Sequence, residues 1–197
     1  MKEKTYTFSR SGSSITGYTN TISYSYAMHG NDTSYRIGSY TSKINNNSAL
    51  TYTYRYDGNG NITHISYSDG KHIYYTYDDI GQLIREDNQT LGNTYVYEYD
   101  NAGNILKRKT YSYTTGTLPA SPNTTYSYGY SSGAWGDQLT TYRDKTLTYD
   151  DLGNPLYYHN GYGFGKNFTW TGRQLTGMTQ SDTFTENTNR TLIFHHY

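Results

Sequence analysis

The chain has 197 residues, with 16 Lys plus Arg against 16 Asp plus Glu, so its formal net charge is zero. That balance argues against a nucleic-acid binder or a polybasic membrane patch, both of which need surplus cations, and no apolar run is long enough to span a bilayer. There is no Cys, which excludes disulfides and thiolate chemistry, and 27 Tyr stand against only 5 Phe and 2 Trp. With aliphatics this sparse, a core must be built from tyrosine rings whose hydroxyls keep polar partners.

Residues 1–23 read as an N-terminal flank or a degenerate repeat, without the apolar stretch of a signal peptide. A repeat array is expected over 24–176. Its first unit is the degenerate "YSYAMHGNDT" from Tyr24, and the long gap after Tyr26 contains the insertion "AMHGNDTSYRIGSYTSKINNNSA". In "YTYRYDGNGNI", Tyr52, Tyr54 and Tyr56 alternate with Thr51, Thr53 and Arg55, the side-chain period of a strand with one aromatic face. Asp57, Gly60 and Asn61 then form a turn. The Asp caps backbone N–H groups ahead of it, and the Gly takes a positive φ. Ile62 opens the return strand. His64 and His72 bracket the "SDGK" turn and face each other across a ladder, where cross-strand packing is the reading preferred over metal binding.

The same phrase recurs along the chain. Asp78, Gly81 and Gln82 follow "YYTY", and Leu83 opens the return. Asp100, Gly103 and Asn104 follow Tyr95, Tyr97 and Tyr99. The segment "SYTTGTLPASPNT", with Pro119 and Pro122, suits a surface loop. Tyr126, Tyr128 and Tyr130 alternate again, Asp150, Gly153 and Asn154 make the next turn, and Phe168 and Trp170 keep the pattern in the last unit. Taking Tyr26, Tyr56, Tyr77, Tyr99, Tyr130, Tyr149 and Trp170 as anchors, the gaps are 30, 21, 22, 31, 19 and 21 residues. Residues 177–197 read as a poorly defined tail. The expected architecture is all-β: an antiparallel meander of stacked hairpins in a curved, open sheet.

These residues carry a resemblance. "YxYDxxGN[IL]" at a spacing near 21 resembles the YD repeats of bacterial Rhs proteins and animal teneurins, and "WGDQLTTYRDKTLTYDDLGNPLYY" with "FTWTGRQL" is similar to the terminal repeats of wall-associated Rhs members. The resemblance implies a sheet that spirals into a shell enclosing a C-terminal toxin or displaying an adhesive surface. The parent is then secreted or attached to the cell wall. The family's D-P-x-G-L motif is absent, since the sequence contains no Asp-Pro. The chain is therefore expected to be a fragment of a longer repeat protein, forming part of such a shell. Its expected partners are the remaining repeats and the enclosed toxin.

The rival readings are weaker. The four turn aspartates recur at equivalent positions, which is what capping predicts and not what a facing catalytic pair needs. "DGNGN" has its Gly too early for a calcium loop, "GYGFG" has the wrong spacing for a dinucleotide site, and no G-x-S-x-G elbow occurs. No enzyme and no cofactor is expected. The main alternative is a carbohydrate-binding or adhesion module, with Trp135, Trp170, Tyr97 and Tyr99 as candidate aromatic platforms. The preferred reading is that tyrosine is this fold's packing residue.

Overall fold

The computed structural model describes residues 2–8, 18–29, 32–45, 47, 49–133, 136–159, 164–182 and 190–193. These contain seventeen strands and no helix. In chain order they are β1 (Lys2–Phe8), β2 (Tyr18–His29), β3 (Asp32–Ile44), β4 (Leu50–Tyr56), β5 (Ile62–Tyr67), β6 (His72–Tyr77), β7 (Leu83–Asn88), β8 (Asn93–Tyr99) and β9 (Ile105–Ser112). They continue with β10 (Thr124–Tyr130), β11 (Leu139–Tyr142), β12 (Lys145–Thr146), β13 (Thr148–Tyr149), β14 (Pro155–His159), β15 (Phe164–Thr171), β16 (Gln174–Asp182) and β17 (Arg190–Ile193).

Within each of two sheets every strand pairs with the next. β1 to β12 form a 12-stranded sheet in sequence order and β13 to β17 a 5-stranded sheet. Neither order returns to its first strand, so neither sheet closes into a barrel among the described residues. This is the open antiparallel meander that the alternation and turn spacing predict. By contacts the chain divides into two units, Met1–Val96 with Thr110–Asn123, and Tyr97–Lys109 with Thr124–Tyr197.

In the first unit, cross-strand register puts tyrosines in one row. Tyr24 pairs with Tyr40, Tyr40 with Tyr52, and Tyr52 with Tyr67. Ring centroids are 5.9 Å apart for Tyr40 and Tyr52, and 4.9 Å for Tyr52 and Tyr67. Both distances lie within the range at which aromatic pairs add stability beyond area burial. The other face of the same strands carries hydroxyl pairs, Ser25 with Ser39 at 2.8 Å and Thr41 with Thr51 at 2.9 Å. In the second unit Tyr128 packs on Tyr142 at 5.2 Å, and the guanidinium groups of Arg108 and Arg143 each lie over the Tyr126 ring, 4.7 and 4.3 Å from its centroid.

The apolar core is small. Only Ile73, Tyr111 and Leu147 are buried hydrophobics among the described residues, against buried Asp87, Asn88, Thr94 and Asn154. The polar group has a cover. Thr94 donates its hydroxyl to Asp87 Oδ1 at 2.9 Å, and Arg85 Nε donates to the same oxygen at 2.8 Å. Arg85 Nη2 also donates to the carbonyls of Thr114 and Gly116, and the Thr114 N–H donates back to Thr94 Oγ1 at 3.1 Å. The proline-containing loop is thus surface-running but tied over buried Asp87 and its half-buried partner Arg85.

The segment read as an insertion after Tyr26 differs from its reading. Much of it is strand: β2 extends to His29 and β3 runs for 13 residues. "GSYTSKI" alternates as a strand in its own right, and Tyr40 supplies one rung of the row. Strand is also present in both flanks, as β1 in 1–23 and as the end of β16 and β17 in 177–197.

Candidate functional site

The recurrent element is built first from its turn. In all four copies a three-residue loop closes the hairpin, with the Asp N–H donating to the carbonyl four residues on and the Gly N–H donating back to the Asp carbonyl. The bonds are 3.0 and 3.2 Å at Asp57 and Gly60, 3.0 and 3.0 Å at Asp78 and Gly81, 2.9 and 3.1 Å at Asp100 and Gly103, and 3.0 and 3.0 Å at Asp150 and Gly153. The four glycines have φ of 97, 84, 89 and 79°, the left-handed region in which a Cβ is costly.

The Asp carboxylate then organises the loop. One oxygen accepts the backbone N–H of the fifth residue, at 2.8 Å from Asn61, 2.8 Å from Gln82, 2.9 Å from Asn104 and 2.8 Å from Asn154. Where that residue is Asn, its side-chain amide donates to the other oxygen, at 3.0 Å for Asn61, 2.9 Å for Asn104 and 2.8 Å for Asn154. Gln82 makes no such bond among the described residues. Asn154 goes further and donates to the carbonyl of Gly172 at 2.7 Å.

These bonds hold the carboxyls of Asp100 and Asp150 below the usual range, with the Asn side-chain amide as the leading cause. At Asp57 burial pushes the other way, and the bonds from Asn61, Gly60 and Asn59 outweigh it. Carboxylates saturated by backbone donors at four separate hairpins are turn caps, not a convergent pair.

The anchor aromatics reveal a second device. Beside six of the seven anchors the register slips by one residue. Arg55 pairs with His64 but Tyr56 with Ile62, Thr76 with Arg85 but Tyr77 with Leu83, and Thr148 with Tyr157 but Tyr149 with Pro155. Likewise Ser25 pairs with Ser39 but Tyr26 with Ile37, Gly129 with Thr141 but Tyr130 with Leu139, and Thr169 with Gly177 but Trp170 with Leu175. Each slip is a bulge that leaves one residue of the return strand unopposed and bends the ladder. At Gly38 the bulge is so tight that a Cβ would lie 2.9 Å from the Ala27 nitrogen.

In four cases the carbonyl of the residue paired with one anchor, Ile37, Ile62, Leu139 or Pro155, receives the polar tip of the next anchor. Tyr56 donates its hydroxyl to Ile37 O at 2.7 Å, and Tyr77 to Ile62 O at 2.8 Å. In the second unit Tyr130 donates to Ile105 O at 3.0 Å, Tyr149 to Leu139 O at 2.7 Å, and Trp170 Nε1 to Pro155 O at 2.7 Å. Among the described residues, these five anchors therefore clasp the backbone of the repeat before their own. Burial, the leading cause in each case, raises the phenol pKa of Tyr56, Tyr77, Tyr130 and Tyr149.

Of the candidate platform residues, Trp135 lies outside the described residues. Trp170 is half-buried, its N–H engaged by Pro155. Tyr97 and Tyr99 are half-buried on β8. A concavity of about 920 Å³ opens beside the first turn, lined by residues that include Met28, Tyr35, Arg36, Tyr54 and Tyr56. The Arg36 guanidinium lies against Gly60 and 5.6 Å from the Tyr56 ring centroid. The described residues contain no group of three or more metal-ligating side chains.

No protein-family model matches the chain, and no curated protein matches it. Solved structures do. The chain aligns over 89% of its length with the crystal structure of TcdB2–TccC3 without its hypervariable C-terminal region, at 16% identity and a TM-score of 0.57. A TcdB2–TccC3–Cdc42 crystal structure aligns over 89% at 16% identity with a TM-score of 0.56, and the Photorhabdus luminescens Tc holotoxin pore with a TccC3 substitution gives the same three values. The chain spans about 11% of the length of each of these chains. What it shares with them is the fold, an Rhs-like antiparallel β-sheet.

Proposed function

We propose that this chain is a non-enzymatic structural module, a stretch of wall from an Rhs-type protein that surrounds a passenger toxin or is displayed at the cell surface. The observation that carries this reading is the clasp from five anchor rings to the backbone of the preceding repeat. It recurs with the repeat, joins unit to unit, and leaves the conspicuous aspartates engaged in turns. A sheet held in this way extends by adding units, each covering the edge of the last. Its partners are then the flanking repeats and the enclosed toxin of a longer, secreted or wall-associated parent. The fold likeness to Tc toxin complexes supports the same reading.

Protease protection in the parent protein tests it. A C-terminal passenger should survive a protease that degrades the free passenger at once, and lose that protection when Tyr77 and Tyr149 are changed to Phe together. A passenger cleaved equally fast inside and outside the intact parent contradicts the proposal.

The tyrosine- and arginine-lined concavity beside the Asp57 turn favours a second reading, an adhesion surface for glycans. A panel of oligosaccharides titrated against the chain, with tryptophan and tyrosine fluorescence as readout, separates the two. Saturable binding lost in Tyr35→Ala supports adhesion, and a flat response removes it.

A further inference from the structure

The wall reading gives no role to one pair of side chains. His64 on β5 and His72 on β6 bring Nε2 and Nδ1 to 3.0 Å from each other. Their strands are joined by a tight hairpin in which Tyr67 N–H donates to Lys71 O at 2.9 Å and Gly70 has φ 84°. His64 is paired with Tyr74 and His72 with Ser66, so the imidazoles meet on the diagonal of one face. Tyr74 stacks on His64 with 4.5 Å between centroids and 1° between planes. The His72 N–H of the backbone is tied to Gln89 Oε1 at 3.0 Å. Both imidazoles are half-buried and thus reachable from solvent.

We propose that His64 and His72 form a two-imidazole chelate for a divalent late transition-metal ion, Cu²⁺ before Ni²⁺, with water in the other coordination positions. Two nitrogens each about 2.0–2.1 Å from one ion stand roughly 2.8–3.0 Å apart when cis on a tetragonal centre, and roughly 3.3–3.4 Å apart at the tetrahedral angle. The observed 3.0 Å matches the tetragonal case. The ion takes the place of the N–H···N hydrogen bond: whichever ring is the donor moves its proton to its other nitrogen by exchange with water, so both bind as neutral imidazoles, each turning to aim its lone pair at a common point. The hairpin and the Tyr74 stack hold the two rings together before the ion arrives, so little ordering is needed on binding.

The charged neighbours on this face set the affinity. Arg55 is paired directly with His64 and opposes a dication. Asp87, paired with Tyr74, is occupied by Arg85 at 2.8 Å. Asp69 and Lys71, in the hairpin loop, offset each other at 3.6 Å. Arg55→Gln therefore tightens the site, a response that two independent surface imidazoles elsewhere would not give.

The test is titration of CuSO₄ and NiCl₂ into the full chain at neutral pH, read by Cu²⁺ electron paramagnetic resonance and by Ni²⁺ calorimetry. His29, His159, His195 and His196 are also present in the chain, so the site is the signal lost on substitution. His64→Gln and His72→Gln should each weaken the same single site more than tenfold, and Arg55→Gln should tighten it several-fold. If each single substitution leaves half the signal, or neither changes it, the chelate is wrong. Should either variant fail to fold, carbethoxylation of the unaltered chain decides. Ni²⁺ should shield His64 and His72 together, and equal labelling rates with and without Ni²⁺ overturn the proposal.

Discussion

Trp170 donates its indole N–H to the carbonyl oxygen of Pro155 at 2.7 Å, the bond that Tyr149 makes with its hydroxyl to Leu139 at the same distance. Pro155 is the residue paired with Tyr149, and Leu139 the one paired with Tyr130. Two chemically different rings thus serve one purpose, because each has an apolar body and a donor at its tip. The donor is what the position requires. Trp170→Phe keeps a ring and loses the bond, and it should cost about 1–3 kcal/mol in chemical denaturation by leaving a half-buried carbonyl unpaired. Tyr158→Phe, on an exposed ring, should stay within about 0.5 kcal/mol of the parent.

The two glycines of the first turn separate conformation from space. Gly60 has φ 97° and lies under the Arg36 guanidinium, whereas a Cβ on Gly58 meets nothing within 4 Å and its φ is ordinary. Gly60→Ala should therefore destabilise by about 1–2 kcal/mol or more, and Gly58→Ala should be neutral or stabilising by up to about 1 kcal/mol. Urea midpoints of the two variants check this directly.

Asn154 and Gln82 occupy the same place in their turns but differ in what they hold. Asn154 is buried and donates both to Asp150 and to Gly172, across 18 residues of sequence. Asn154→Ala should cost about 2–3 kcal/mol, while Gln82→Ala should cost well under about 1 kcal/mol. Thermal unfolding of the pair is the measurement.

Acid should act through the turns. The carboxyls of Asp100 and Asp150 are held below their ordinary values, chiefly by the Asn104 and Asn154 amides. The folded chain then binds fewer protons than the unfolded chain, whose aspartates titrate near about 3.9. The turns' contribution is fully present above that value and is lost as pH falls through the lower folded-state values. Stability measured between about pH 5 and 2 should fall less steeply in Asp150→Asn than in the unaltered chain.

The tyrosine row and the turns were legible because they are written in adjacent residues. Tyr52, Tyr54 and Tyr56 show their shared face by alternation, and Asp57, Gly60 and Asn61 carry their own hydrogen bonds. The clasp was not legible, because its acceptors are the backbone carbonyls of Ile37, Ile62, Ile105, Leu139 and Pro155, and a carbonyl leaves no mark in a sequence. One signal was present: none of the seven anchors from Tyr26 to Trp170 is Phe, as a position that needs a donor demands. β3 was hidden by its length, since the long gap after Tyr26 reads as an insertion when measured against a period near 21. The loop around Pro119 showed its irregularity, but its hold on Asp87 through Arg85 and Thr94 depends on partners some 20–30 residues away in the chain.

The central claim is that these five anchor rings tie their repeats to the ones before, each through a single backbone carbonyl. Hydrogen exchange of Tyr77→Phe tests it most directly. The account predicts faster exchange confined to the hairpins that Tyr77 and Ile62 join, residues 52–67 and 72–88, with protection elsewhere unchanged. Exchange identical to the unaltered chain across those hairpins, or acceleration spread evenly over every strand, would contradict it.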